Sequence, residues 1–480
     1  MLVAALTACE KGEPLLNQPP ETSLVVDTIN LRGQDRLNSQ VRLQWSGTDA
    51  DGYVTGYEVS LDAQSWSFVT TQDSTFRFDV PEGSDSVDVT FYVRAVDNEG
   101  ATDPTPATLG VPIKNTAPTA TFTARTVNVA NEEVDIVLLD TLQTVFSVNW
   151  QVDDLDGPNT LDSTFVRAND GPWYALPSGV EFITLVPQQP RAVGAVAATV
   201  HVGFDAQANA TPLTGLVLGD TNRLYLRTRD ISGALSDPDT TDAFYLLPQT
   251  SDLLVMDLKA SNEEDDDELY ADLIGSTYGG FDRIDVATVE GDYYAQWNPT
   301  FRLLSDLYDI IYWYDVGIYS IGQTPTIELA APILQGFLDR GGKLVFVGQL
   351  PRYPTTLTPE SLLFQLFPMD SLSSSTEGRA EIKRDSVVVP LVPELDTLVP
   401  VGFLRQVNPF YLGSGAEEVY RAQISAARGW TGPATFGARR RYTNGRVQLY
   451  FFAIELTQLN GRPEALENLF RQILVEDFDW

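Results

Sequence analysis

The chain has 480 residues, a net charge of −35, 43% hydrophobic and 10% aromatic residues, one Cys and one His. That apolar fraction can fill packed cores, and the length suggests roughly three domains at about 100–200 residues each. The acidic balance repels nucleic acid and anionic membrane surfaces, so no nucleic-acid partner is expected, and Cys9 and His201 alone leave thiol, Ser–His and His-ligated zinc mechanisms short of parts.

The first residues are Met1-Leu2-Val3-Ala4-Ala5-Leu6-Thr7-Ala8-Cys9. The stretch is short for a secretory signal and has no basic start, so it reads as the end of one. Leu6-Thr7-Ala8-Cys9 resembles the lipobox of bacterial lipoproteins, an aliphatic residue and two small ones before the Cys that takes the lipid. The resemblance implies lipidation at Cys9 and a membrane partner reached through that lipid. It places the protein outside the cytoplasm, on the cell envelope, at the outer membrane. The plainer alternative is an apolar start that happens to contain a Cys. Glu10 to Pro14 and Asn17-Gln18-Pro19-Pro20 are polar and Pro-containing, which suits a tether, so residues 1–20 are taken as signal remnant and tether. No later apolar run approaches 18 residues, so no spanning helix is expected.

From 21 to 248 the chain is rich in Val, Thr, Tyr and Phe with Gly, Asp and Pro punctuation. Val41-Arg42-Leu43-Gln44-Trp45 and Val87 to Val93 alternate as half-buried strands do, which predicts antiparallel sandwiches. The pattern repeats. Trp45-Ser46-Gly47-Thr48-Asp49-Ala50-Asp51-Gly52 matches Trp150-Gln151-Val152-Asp153-Asp154-Leu155-Asp156-Gly157, and Val93 to Gly100 parallels Leu226 to Gly233. These elements resemble bacterial fibronectin type III or Ig-like modules, one over 21–114 and one over 115–248. The second carries an insertion around 177–215 that contains His201, expected to be structural. No Tyr-corner residue stands early on the late strand, where Val89 falls. In such modules the loop after the Trp strand and the loop after the late strand share one end. Asp49, Asp51, Asp97 and Glu99, and likewise Asp154, Asp156 and Asp230, would then converge. Hard oxygen ligands at one pole suit Ca²⁺, the only cofactor considered. The plainer reading is turn chemistry, since Asp caps its own backbone.

Over 249–480 apolar strands alternate with helical segments. Strands are predicted at 252–258, 283–289, 308–314, 343–348 and 445–452. Helices are predicted at 268–275, 299–307, 327–340 and 463–475. Continuous apolar strands between helices predict a parallel, doubly wound α/β sheet. The succession Tyr308-Asp309-Ile310-Ile311, Phe337 to Gly348 and Gly445 to Phe452 resembles the class I glutamine amidotransferase-like, flavodoxin-like fold. That family places a Cys nucleophile in the turn after the strand matching 343–348, with a His later. Here the turn reads Gly348-Gln349-Leu350 and the region has neither residue. The match implies the fold and argues against the activity.

Gly348, Gln349, Tyr314 and Asp315 are expected at the carboxyl edge of that sheet, where ligands bind in open α/β folds. The acidic run Glu263 to Glu268 also follows a strand, although acids favour a helix start for electrostatic reasons alone. Tyr293, Tyr294, Trp297, Tyr312, Trp313 and Tyr319 could stack on a sugar or peptide, but most are expected to pack. The leading expectation is a lipid-anchored envelope protein whose sandwiches present a catalytically silent α/β domain to an envelope protein or glycan. The alternative is a carboxylate- or metal-dependent hydrolase acting on glycan or peptide at the strand ends.

Overall fold

The computed structural model describes residues 16–25, 36–81, 84–129, 132–136, 138–177, 179–258, 264–286, 297–315, 320–321, 324–350 and 361–478. Cys9, Glu263, Tyr293, Tyr294 and Tyr319 lie outside the described residues. No helix among the described residues is long and apolar enough to cross a membrane.

The first sandwich faces a three-stranded sheet against a four-stranded one. The smaller sheet runs Glu21–Leu24, Gln40–Thr48, Asp73–Arg77. The larger runs Ser67–Val69, Val54–Ser60, Ser86–Asp97, Ala107–Lys114, and all pairings are antiparallel. Alternation decides the faces: Leu43 and Trp45 are buried while Arg42 and Gln44 are exposed. Trp45 packs within 5.8 Å of Phe91 and 6.2 Å of Tyr57, ring centre to ring centre. Its indole N–H donates to Thr71 O at 3.0 Å, so the large side chain is buried without an orphaned donor.

The second sandwich repeats this plan. Trp150 is 1% exposed and donates to Val180 O at 2.8 Å. One sheet runs Tyr174–Pro177, Leu161–Ala168, Leu224–Asp230, Asp239–Thr240. The insertion enlarges the other. Phe146–Asp153 pairs with Thr119–Thr123 on one side and Phe182–Pro187 on the other. Gly194–Val202, Gln207–Ala208 and Leu213–Leu218 extend the sheet outward.

In the C-terminal domain the strands β1 (Leu253–Asp257), β2 (Asp282–Asp285), β3 (Ile310–Asp315), β4 (Lys343–Gly348) and β5 (Val447–Phe452) lie in the order 2-1-3-4-5, all parallel. Helices α1 (Glu264–Tyr278) and α3 (Pro463–Arg471) cover one face, through Tyr270, Ile274, Leu466 and Phe470 against Tyr312, Tyr314 and Val345. Helix α2 (Thr326–Asp339) covers the other, through Ile327, Leu334 and Phe337 against Leu254, Trp313 and Phe346. Among the described residues the sheet has ten strands, and beyond β5 it turns antiparallel through Thr435–Arg441. The wholly parallel sheet expected is therefore a mixed one. Two of the added strands, Phe410–Leu412 and Val388–Pro390, are only three residues long, and the longer Glu417–Ala422 and Thr435–Arg441 carry charged residues, so none gives a continuous apolar run to read.

The second sandwich and the α/β domain share a single hydrophobic core, in which Val148 and Leu185 join Leu254, Trp313 and Phe346. Polar contacts fasten the same junction. Ser147 Oγ lies 2.6 Å from Thr300 Oγ1, Gln143 Nε2 donates to Arg283 O at 3.0 Å, and Arg191 pairs with Asp252.

Candidate functional site

Two regions hold the residues that the sequence singles out. The first is the carboxyl edge of the parallel strands. Register sets Asp257 beside Asp285 and Tyr314, and Asp315 beside Gly348. Asp257 and Asp315 are each 1% exposed. A buried carboxylate needs a partner, and Asp257 has Arg283. Tyr314 stands at this edge, but its ring stacks on Tyr270 at 4.6 Å and belongs to the core. Gly348 fits where a Cβ would come within 2.8 Å of Asp315 O. Gln349 donates its amide to Gln406 O at 3.0 Å, and Asn408 donates to Leu350 O at 2.8 Å. Residues 406–408 thus lie across the turn that follows β4. Tyr312 and Trp313 are buried in the sheet. In the acidic run, residues 264–268 open α1.

The second region is the acidic pole of each sandwich, and here the repeat extends further than the sequence reading took it. In the second module Asp154, Asp156 and Asp230 are all buried. Asp156 accepts the N–H of Thr116 at 2.7 Å and the N–H of Ser39, from the first module, at 2.9 Å. Asp230 accepts the Asn115 amide at 2.5 Å and the N–H of Ala234 at 2.8 Å. In the first module Asp51 accepts the N–H of Gln18 at 3.1 Å, and Asp97 accepts the Asn17 amide at 2.6 Å and the N–H of Ala101 at 2.8 Å. The arriving chain is therefore clasped in the same way twice. The signal was present as Asn17-Gln18-Pro19-Pro20 and Asn115-Thr116-Ala117-Pro118, which share an Asn-x-x-Pro spacing. The first run lies in the stretch taken as tether, and the second opens the second module.

Electrostatics follow from these donors. The Asn17 amide, ahead of the opposing effect of burial, holds the Asp97 carboxyl below its usual range. Burial above all pushes the Asp154 carboxyl up. The Thr160 hydroxyl and the Asp156 N–H oppose that rise, while the charges of Asp156 and Asp230 add to it. Among the described residues no group of three or more His, Cys, Asp or Glu could hold a metal ion. Asp49 Oδ2 is the one oxygen of this set that is buried without a partner among the described residues.

A substitution separates the turn reading from calcium. Asp154→Asn keeps both hydrogen bonds, because the Thr160 hydroxyl can turn to Gly157 O, 2.5 Å away, and accept from the new amide. A raised folded-state pKa means that ionised Asp154 opposes folding above that pKa, an effect that fades as pH falls and the carboxyl protonates. The expected result is a higher melting temperature for Asp154→Asn at pH 7, with the gain closing toward pH 4. Millimolar calcium should shift neither protein. A calcium-dependent rise in the wild type that Asp154→Asn removes would establish a metal site instead.

His201 lies in the insertion, its Nδ1 3.0 Å from Ala206 O, across the turn that carries Phe204. Phe204 is 54% exposed and borders two cavities, one lined by the second sandwich and one lined by that sandwich and the α/β domain together. Sequence reading passed over this place because strands far apart in the chain assemble it.

No protein-family model matches the chain, and no curated relative does. Among solved structures, a segment of two fibronectin type III domains from chicken tenascin is similar at 10% identity, covering 48% of this chain and 99% of that one, with a TM-score of 0.21. The fibronectin(III)-like modules of Clostridium thermocellum CbhA are similar at 11% identity, over 47% of this chain and 94% of that one, with a TM-score of 0.18. The PKD1 domain of Vibrio anguillarum Epp is similar at 18% identity, over 20% of this chain and 99% of that one, with a TM-score of 0.15.

Proposed function

We propose that this is a lipid-anchored cell-envelope protein. Its two sandwiches form a stalk, and they present a doubly wound, amidotransferase-like α/β head that binds or assembles without thiol chemistry. One observation supports the reading: Gln349 follows β4, in the turn that the resemblance would assign to a Cys, and its amide is spent on Gln406 O. The strand order 2-1-3-4-5, with helices on both faces, supports the flavodoxin-like assignment. The clasps at Asp51 and Asp156 and the core shared by sandwich and head support a stiff stalk. An envelope protein or glycan is the partner class. A hydrolase reading rests on Asp257 and Asp315, two carboxylates buried at neighbouring strand ends.

Purified protein incubated with glutamine should release no ammonia, and thiol-directed reagents should leave no adduct within 249–480. A thiolate nucleophile usually depends on a nearby His, and the region has neither Cys nor His. Ammonia release that disappears in Gln349→Ala would overturn the silent-head reading. Hydrolysis of glycan or peptide lost in Asp315→Asn would favour the hydrolase.

A further inference from the structure

The enlarged sheet of the second sandwich turns its outer face toward the α/β head. Pleating puts Val148 and Trp150 into the core and Ser147, Asn149 and Gln151 on that outer face. On this face Thr300 of the head sits on Ser147, which is also hydrogen-bonded to Thr184. Beyond that contact a cavity of about 520 Å³ opens. This lies within the roughly 300–1,000 Å³ of small-molecule sites.

Its chemistry is specific. Phe204 lies ring-on-ring with Phe182, with centres 5.6 Å apart and planes 23° apart. The turn that carries it is held by a positive φ of 65° at Gly203 and by the His201–Ala206 contact. Thr123, Asn149, Gln151 and Glu181 supply a hydroxyl, two planar amides and one carboxylate to the same cavity. Asn149 Oδ1 is buried and meets no donor among the described residues, a cost that a bound hydroxyl would relieve. No cation among the described residues lines the cavity, so an anionic ligand has nothing to neutralise it. The floor is a sheet face whose backbone groups are spent in the ladder, so a peptide strand finds no main chain to pair with. An aromatic platform beside amides and a hydroxyl suits an uncharged ligand that is dense in hydroxyls and has an apolar C–H face.

We propose that this cavity binds a neutral saccharide, which stacks on Phe204 and hydrogen-bonds to Asn149 and Gln151. A second cavity, of about 430 Å³, shares Phe204 with the first and is lined further by Asp205, Arg302, Ile333 and Arg340. A saccharide of several units crossing Phe204 would therefore touch both the sandwich and α2. The inference gives the glycan partner class above a site, but it depends on neither the anchor nor the silent head, so it can fail without them and they without it.

The test titrates the full chain by calorimetry with neutral linear hexasaccharides of cellulose, xylan, starch and chitin type. At least one should bind. Phe204→Ala, an exposed change that leaves the core intact, should weaken binding at least tenfold, and Asn149→Leu about tenfold. Unchanged melting temperatures in both variants would show that they fold. The proposal is overturned if no hexasaccharide binds wild type at millimolar concentration. It is equally overturned if binding survives Phe204→Ala, or if only uncharged peptides bind.

Discussion

Replacing Arg439 by Met should cost the α/β domain about 3 kcal/mol, at the lower end of what is lost when one partner of a buried ion pair is removed. The guanidinium is 3% exposed and bonds Glu417, Glu394, Asp477 and the Tyr450 hydroxyl. Met retains much of the stem's packing but leaves three carboxylates facing one another. They are partly solvated, at 42%, 31% and 15% exposure for Glu417, Glu394 and Asp477, which is why the lower end applies. For a domain of this size the loss reads as roughly 6–12 °C in Tm. The pH dependence gives a second readout. The hydrogen bond from Arg439 holds the Glu417 carboxyl below its usual range, against the effect of burial. A depressed folded-state pKa contributes stability that is present above the unfolded pKa and lost as pH falls through the folded value. The gap between wild type and Arg439→Met should therefore be widest near neutral pH and shrink below about pH 4, where carboxylates protonate. A gap that stays constant with pH would mean that the loss is packing alone.

Trp45→Ala and Trp150→Ala should each cost about 3–5 kcal/mol, the usual penalty for emptying a large aromatic site. Both indoles are 1% exposed and both donate to a backbone carbonyl, so each change leaves a cavity and an orphaned acceptor. The two should nevertheless look different in a calorimeter. Trp45 belongs to a core confined to the first module. Trp150 belongs to the core that continues into the α/β head. Trp45→Ala should move one early transition and leave the main one in place. Trp150→Ala should move the transition of the second sandwich and the head together. If the head melted at its wild-type temperature in Trp150→Ala, the shared core would not be a cooperative unit.

What could be read from the chain divides along physical lines. The Trp and Asp-x-Asp-Gly repeat was legible because each residue type has one local job, a core anchor or an Asx turn, and does it twice. Strands β1, β3 and β4 were legible because burial on both faces removes polar alternation, as in Leu253 to Asp257. The antiparallel extension was not, since strands of three residues such as Val388–Pro390 carry no period. The edge residues Asp315, Gly348 and Gln349 could be placed from strand ends alone, whereas the stacking of Tyr314 on Tyr270 depends on where α1 lands. The clasp of Asn17 and Asn115 on the poles needed the fold, because the donor and the carboxylate stand 80 and 115 residues apart. Phe204 and Asn149 line one cavity because the insertion extends a sheet.

Anchored presentation is the central claim, and the fate of Cys9 tests it most directly. Full-length protein exported in a bacterial host should sediment with membranes and partition into the detergent phase. Cys9→Ser should be recovered in the soluble fraction with an unchanged melting temperature. Membrane association that persists undiminished in Cys9→Ser would contradict the account.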